Sequence, residues 1–232
     1  TYTPETVYGT FPTQVAAIAD GKVYLVEEEH SLNAPAYHGA MTRCVNATTG
    51  KLLWQIYGIS SWQEQAVADG YYVWFNCNDQ RIYCIGPGPS ATTVTASPSV
   101  ITDGNSVLIT GTVTDQSPNT ALKGTACIAD ADQSLWTDYM VQQSVAAPMN
   151  AKGVEVTLDA VDPNNNFVHI GTVTSDMSGM FKKMFTPEVP GEYTIIATFA
   201  GSGSYGASYA ETAIGVTEAP TPPPPTPTPL VL

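Results

Sequence analysis

Charge is scarce in this chain, and positive charge is scarcer still. Only 12% of the 232 residues are Asp, Glu, Lys or Arg, and 21 acids face 8 bases, a formal net charge of −13. A phosphate-binding surface needs a basic footprint, so the composition excludes nucleic acid as a partner. The imbalance favours solubility and association with cations, yet charges this sparse do not build the carboxylate-saturated surface of a halophile. No apolar run of about 20 residues occurs, so the sequence carries no membrane span. It also has no signal peptide at Thr1, which a secreted protein lacks once matured. Histidine is confined to His30, His38 and His169. There is no Gly-x-Ser-x-Gly elbow, no Cys–His pairing at a recognisable motif and no phosphate-binding glycine loop. The reading is therefore a non-enzymatic protein without cofactor or metal.

What the chain does have is Thr, Ser, Gly and Pro in the proportions of an extracellular β protein, and a length sufficient for two domains with separate cores. Its most informative feature is an internal repeat at a spacing of 49 residues. Gln14, Ala17, Ala19, Asp20 and Gly21 recur as Gln63, Ala66, Ala68, Asp69 and Gly70, and Tyr8-Gly9 recurs as Tyr57-Gly58. Cys44 and Cys84 also correspond once a shorter loop in the second copy is allowed for. A repeat of this length predicts stacked β units of up to four strands each.

The segments "ADGKVYL" and "CVNATTGKLLW" resemble the blade repeat of the PQQ-like quinoprotein β-propellers, in which an Asn/Asp-x-x-Thr-Gly turn precedes a strand ending in Trp. The resemblance implies that Trp54 docks between neighbouring blades. A closed ring needs at least about four blades, and residues 1–89 hold fewer than two, so the axial quinone pocket of that family is not expected here. In register with the repeat, Pro4, Glu5, Thr6, Val7, Tyr8 and Gly9 read as the last strand of a preceding blade. Residues 62–86 supply only the first three strands of the next. The chain thus reads as beginning and ending mid-blade.

Four cysteines, Cys44, Cys77, Cys84 and Cys127, allow two disulfides in three connectivities, and none of their spacings suits a metal. Cys44–Cys84 with Cys77–Cys127 is one pairing; the alternatives, and unbridged buried thiols, stay open. The single N-glycosylation sequon is at Asn46, in a turn whose geometry also suits Asn without a sugar. The loop "EEEHSLNAPAYH", with Glu27, Glu28, Glu29, His30 and His38, matches no ligand spacing and reads as a solvated acidic loop. "DAVDPNNN" lacks the terminal Glu of a calcium loop and reads as a hairpin turn.

From about residue 90 the pattern changes to seven short alternating runs, from "TTVTASPSV" to "AETAIGVTE", separated by Pro, Gly, Asn and Asp, which predicts an antiparallel sandwich. "TSDMSGMFKKMFTPEVPGEYTIIATFAGSGSYGASYAET" resembles the Ig-like domains of bacterial and archaeal surface proteins. An insertion at about 115–152 contains "DADQSLWTDYMVQQ", in which Asp130 and Asp132 are available as caps and Leu135 and Tyr139 follow at helical spacing. One short helix lying on the sandwich is expected, with Leu135, Trp136, Tyr139 and Met140 covering a sheet face. Residues 218–232 form a Pro/Thr-rich tail, expected to dock as polyproline II.

The expected whole is all-β: two antiparallel blade-like sheets in 1–89, an Ig-like β-sandwich with one inserted helix in 90–217, and the tail. A blade of three strands ends in unpaired backbone groups that template pairing. The expected function is a secreted or cell-surface structural protein whose copies join by donating residues 4–9 to one another. The alternatives are an adhesin or glycan-binding module using Trp62, Tyr71, Tyr72 and Trp74, and a fragment of a larger surface-anchored propeller protein.

Overall fold

The computed structural model describes residues 5–6, 9–10, 13–27, 41–58, 60, 65–77, 79–119, 121–142 and 146–221. Among these the fold is mostly β, with several antiparallel sheets and one short helix. Trp62, His30, His38, Glu28, Glu29, Pro4, Val7, Tyr8 and residues 222–232 lie outside the described residues.

The repeat produces two consecutive meanders. β1 (Glu5–Thr6) and β2 (Gly9–Thr10) form a small hairpin of their own. β3 (Thr13–Ala19), β4 (Lys22–Glu27), β5 (Met41–Asn46) and β6 (Leu52–Tyr57) then form a four-stranded sheet in sequence order. β7 (Gln65–Ala68), β8 (Tyr71–Asn76) and β9 (Arg81–Ile85) form a three-stranded one. The recurring Asp-Gly explains the repeated hairpin. Asp20 and Gly21 have φ of 50° and 65°, Asp69 and Gly70 of 51° and 83°. Two successive positive φ values make the tight turn whose twist matches the flanking strands. In the Asn46 turn, the side-chain oxygen accepts the N–H groups of Thr48 and Thr49 at 2.9 and 2.8 Å, and Gly50 closes it at φ 70°.

These two sheets meet through an aromatic core. Tyr24, Cys44 and Ile56 of the first sheet pack with Tyr72 and Trp74 of the second. Tyr24 and Tyr72 stack with centroids 4.6 Å apart, and the Trp54 ring lies 6.2 Å from Tyr24 and 6.0 Å from Tyr72, across the gap between the sheets.

The remaining strands enclose a second, larger core. β10 (Ser90–Ser97), β11 (Val100–Thr102), β12 (Val107–Asp115), β13 (Glu155–Val161), β14 (Phe167–Thr174), β15 (Met180–Phe185), β16 (Gly191–Phe199) and β17 (Ser208–Thr217) form two sheets, ordered β10-β12-β15 and β11-β17-β16-β13-β14. Val107, Ile109 and Phe181 from one, with Leu158, Ile195 and Ile214 from the other, are buried in one cluster. Each such side chain contributes about 1.5–3 kcal/mol by leaving water. The first apolar run does not form a single strand as expected. Pro98, after a cis bond, divides it into β10 and β11, which join different sheets, and β11 pairs β17 in parallel. Proline has no N–H to continue a ladder.

The inserted helix, α1 (Gln133–Gln142), also departs from expectation. It does not lie only on the later sheets: one side clusters with Ala126, Ile128 and Ala151 through Trp136, Tyr139 and Met140, while the other packs on β6. Val141 reaches the aromatic core, and the N–H of Gln55 donates to Ser134 Oγ at 3.3 Å. Leu135 is exposed rather than buried. Asp130 is not its cap; its carboxylate accepts from Ser202 Oγ, the Gly203 N–H and Ser204 Oγ at 2.7–2.9 Å, tying the insertion to the loop before β17.

Two further expectations are corrected. Among the described residues, which include all four cysteines, there is no disulfide. Cys44 and Cys127 are buried in different cores, which rules out their bridging each other, and burial pushes their thiols up to about 11 and about 12. Glu27 is not part of a solvated acidic loop. It ends β4 fully buried, paired with the guanidinium of buried Arg43, and its Oε2 accepts the Met41 N–H at 2.8 Å.

Candidate functional site

The sheet edges decide where this protein is able to associate, because an unpaired edge offers a row of backbone donors and acceptors. Most edges are blunted, each by a different device. The outer edge of β6 is covered by α1, whose Ser134 takes one of its N–H groups. β3 lies beside β7, so neither of those edges is open. β11 has only three residues. β10 is closed against β17, where Ser90 Oγ donates to the Gly206 carbonyl at 2.6 Å and Thr92 Oγ1 meets Ser208 Oγ at 2.7 Å. β14 carries a bulge opposite Leu158/Asp159, and β15 presents Lys182 and Lys183.

β9 has none of these. It is hydrogen-bonded to β8 along Ile82 to Ile85 and beyond, and β8 is its one substantial neighbour among the described elements. Its geometry is held firmly from one side. The turn into it is closed by the Gln80 N–H on the Asn76 carbonyl at 2.8 Å. Asp79 then accepts from the Arg81 N–H at 3.2 Å and from the Tyr83 hydroxyl at 2.6 Å. The Tyr83 ring stacks on Trp74 at 5.1 Å, and burial, reinforced by Asp79, pushes its hydroxyl up to about 12. Ile82 and Cys84, on the opposite face, are exposed. β9 is thus an ordered, short, mainly apolar strand with one side unpaired.

Chemistry-bearing residues do not converge elsewhere. His169 Nδ1 lies 2.8 Å from Asp159 Oδ1 on neighbouring strands, and among the described residues no three metal-ligating side chains cluster. In the "DAVDPNNN" turn, Asp162 accepts from the N–H groups of Asn164 and Asn166 at 2.9 and 2.7 Å. Hydrogen bonds from Asn166 hold its carboxyl below the usual range. The aromatic residues considered for sugar stacking are not exposed together: Tyr72 and Trp74 are buried, and Tyr71 is partly exposed with its hydroxyl donating to the Pro87 carbonyl at 3.2 Å. The edge census was invisible in sequence, since the burial of β6 depends on a helix some 80 residues downstream.

Asp138 of α1 is buried with Oδ1 unpartnered, and burial raises its pKa from 3.8 to about 6. A carboxyl whose folded pKa is raised favours the fold below its unfolded value and loses that advantage as pH rises through the folded one. Relative to Asp138→Asn, the wild-type chain is expected to lose on the order of 2–3 kcal/mol between pH 4 and pH 7. Urea unfolding of both proteins across that range checks it; parallel profiles would contradict a buried, uncompensated carboxylate.

No family model and no curated protein matches the chain. Among solved structures, Spo0M, the sporulation control protein of Bacillus subtilis, is similar over 56% of this chain and 50% of that chain, with 12% identity and a TM-score of 0.32. That likeness is too distant to carry an argument, and the match spans half the length of that chain. No described helix is long and apolar enough to cross a membrane.

Proposed function

We propose that this chain is a non-enzymatic structural protein of the extracellular space or cell surface, whose copies assemble by donating a β-strand onto β9. The observation that carries this reading is the contrast among the edges: β9 is left open while the others are covered, bulged, charged or short. The donor is the segment from Pro4 to Gly9, which has the repeat register of the strand that β9 lacks. Within its own chain its described part makes only the pairs Glu5–Thr10 and Thr6–Gly9, a ladder small enough to exchange for a longer one. Donation from copy to copy is heterologous, so the product grows as a filament or surface layer unless the rotation closes it.

The surrounding architecture supports an assembly module. Residues 1–89 read as incomplete propeller blades, with Trp54 between the two sheets as a docking residue. Residues 90–217 read as an Ig-like sandwich. The strand orders follow that plan, and the Tyr193 hydroxyl, near the start of β16, donates to the Val189 carbonyl at 3.0 Å, as in a tyrosine corner. The Pro/Thr-rich segment from 218 serves as a stalk. A glycan-binding surface has less support, because Tyr72 and Trp74 are committed to the core.

Negative-stain microscopy of the full chain and of the chain lacking residues 1–9 tests the proposal. Filaments or sheets are expected from the first and dispersed particles from the second. Dispersed particles from both would refute strand donation.

A further inference from the structure

The same internal repeat allows one face of the first sheet to be compared, residue by residue, with its counterpart on the second. In the first sheet, Tyr24 pairs Cys44 and Val26 pairs Thr42. At the equivalent positions of the second sheet, Val73 pairs Cys84 and Phe75 pairs Ile82. The first set is covered: Cys44 and Thr42 are both 0% exposed. The second set is not: Cys84 is exposed and Ile82 is 73% exposed. Ala66 and Ala68 extend this surface on β7, where their counterparts Ala17 and Ala19 pack into the aromatic core. What covers the first face is the second sheet. Nothing covers the equivalent face of the second.

We infer that this face, built on Val73, Phe75, Ile82 and Cys84, is an interface with a second copy of the chain presenting the same face across a twofold axis. Three observations select that occupant. The first is charge: two chains of net charge −13 repel one another, and this face carries no acid. The second is availability. In a second copy the Tyr72/Trp74 face is already engaged with its own first sheet. The far side of the first sheet is filled at Glu27, Arg43 and Val45, leaving only Val15 and Ile18 exposed along β3. The uncovered three-stranded face is therefore what each copy has to offer, which makes the contact isologous. The third is packing mode: the equivalent face already buries itself against a sheet, and sheets pack face to face about 10 Å apart without using their edges. The β9 edge stays available, so this contact is independent of strand donation.

The area sets the strength. Three strands of about six residues cover roughly 300 Å² in plan, well below the ~800 Å² per partner of a standard interface. The dimer is accordingly weak and concentration-dependent.

Sedimentation equilibrium tests this in the full-length chain carrying Thr6→Pro and Tyr8→Pro, which removes donor N–H groups from the segment offered to β9. A monomer–dimer equilibrium that stops at the dimer is expected. Adding Ile82→Asp is expected to weaken it at least about tenfold, the equivalent of ~1.4 kcal/mol, while Ile18→Asp leaves it unchanged. Unfolding curves of the exposed-site variants should overlay that of the parent, which separates lost association from lost folding. A monomer at the highest soluble concentration would overturn the proposal. So would open-ended growth, or association as sensitive to Ile18→Asp as to Ile82→Asp, since either implies a head-to-tail contact.

Discussion

Arg43→Met is expected to destabilise the N-terminal sheets by about 3–5 kcal/mol, the usual cost of stranding one member of a buried ion pair. Glu27 is fully buried, and its carboxylate has two partners, the Arg43 guanidinium and the Met41 N–H at 2.8 Å. Burial already raises the Glu27 pKa against the opposing pull of Arg43. Without the guanidinium it rises further. A raised folded pKa means that stability falls as pH increases through it, so the deficit of the variant should be larger at pH 7 than at pH 4.5. Pairing Arg43→Met with Glu27→Gln should recover most of the loss, because the amide oxygen still accepts the Met41 N–H and no charge is left buried. Chemical unfolding at the two pH values measures all of this. A small loss that is the same at both would show that the pair is solvated.

Trp74→Ala is expected to cost a further class of stability, about 3–5 kcal/mol by loss of a large buried ring. Trp74 is wholly buried, stacks on Tyr83 and fills the space left by Gly58, where a Cβ would stand 2.4 Å from its ring. The loss should reach β9 as well, because Tyr83 is held between Trp74 and Asp79. Ile82→Ala on the opposite face of the same strand serves as the comparison and should change monomer stability by less than about 0.5 kcal/mol. Equal losses from the two substitutions would mean that both faces are buried and would remove the basis for an exposed sheet.

Much of the β framework was legible because local chemistry repeats. Asp20-Gly21 and Asp69-Gly70 mark two hairpins with positive φ at both residues, and Asn46 to Gly50 marks a third turn. The alternation at Tyr193, Ile195, Ala197 and Phe199 named four side chains that are indeed buried. The three-stranded second sheet also followed from the repeat register.

What escaped the sequence depends on contacts between distant residues. Glu27 sits beside two further glutamates and reads as surface charge; only the cross-strand position of Arg43 makes it a core residue. The helix was recognisable from Leu135 and Tyr139, but not the strand on which it rests. Its side toward β6 carries Ser134 and Val141 rather than the large apolar residues that suggested a face. The openness of β9 and of the Val73/Ile82 face is likewise a property of what does not pack there. A repeat reveals equivalent positions; only the fold shows that one set is covered and the other bare.

The most direct measurement of the central claim is hydrogen exchange at Arg81–Ile85 in the chain lacking residues 1–9, with and without a synthetic peptide of residues 1–10. Strand donation predicts saturable binding, with slowed exchange concentrated in β9 as its free N–H groups gain partners. Absence of binding, or protection appearing on another strand while β9 exchanges as before, would contradict it.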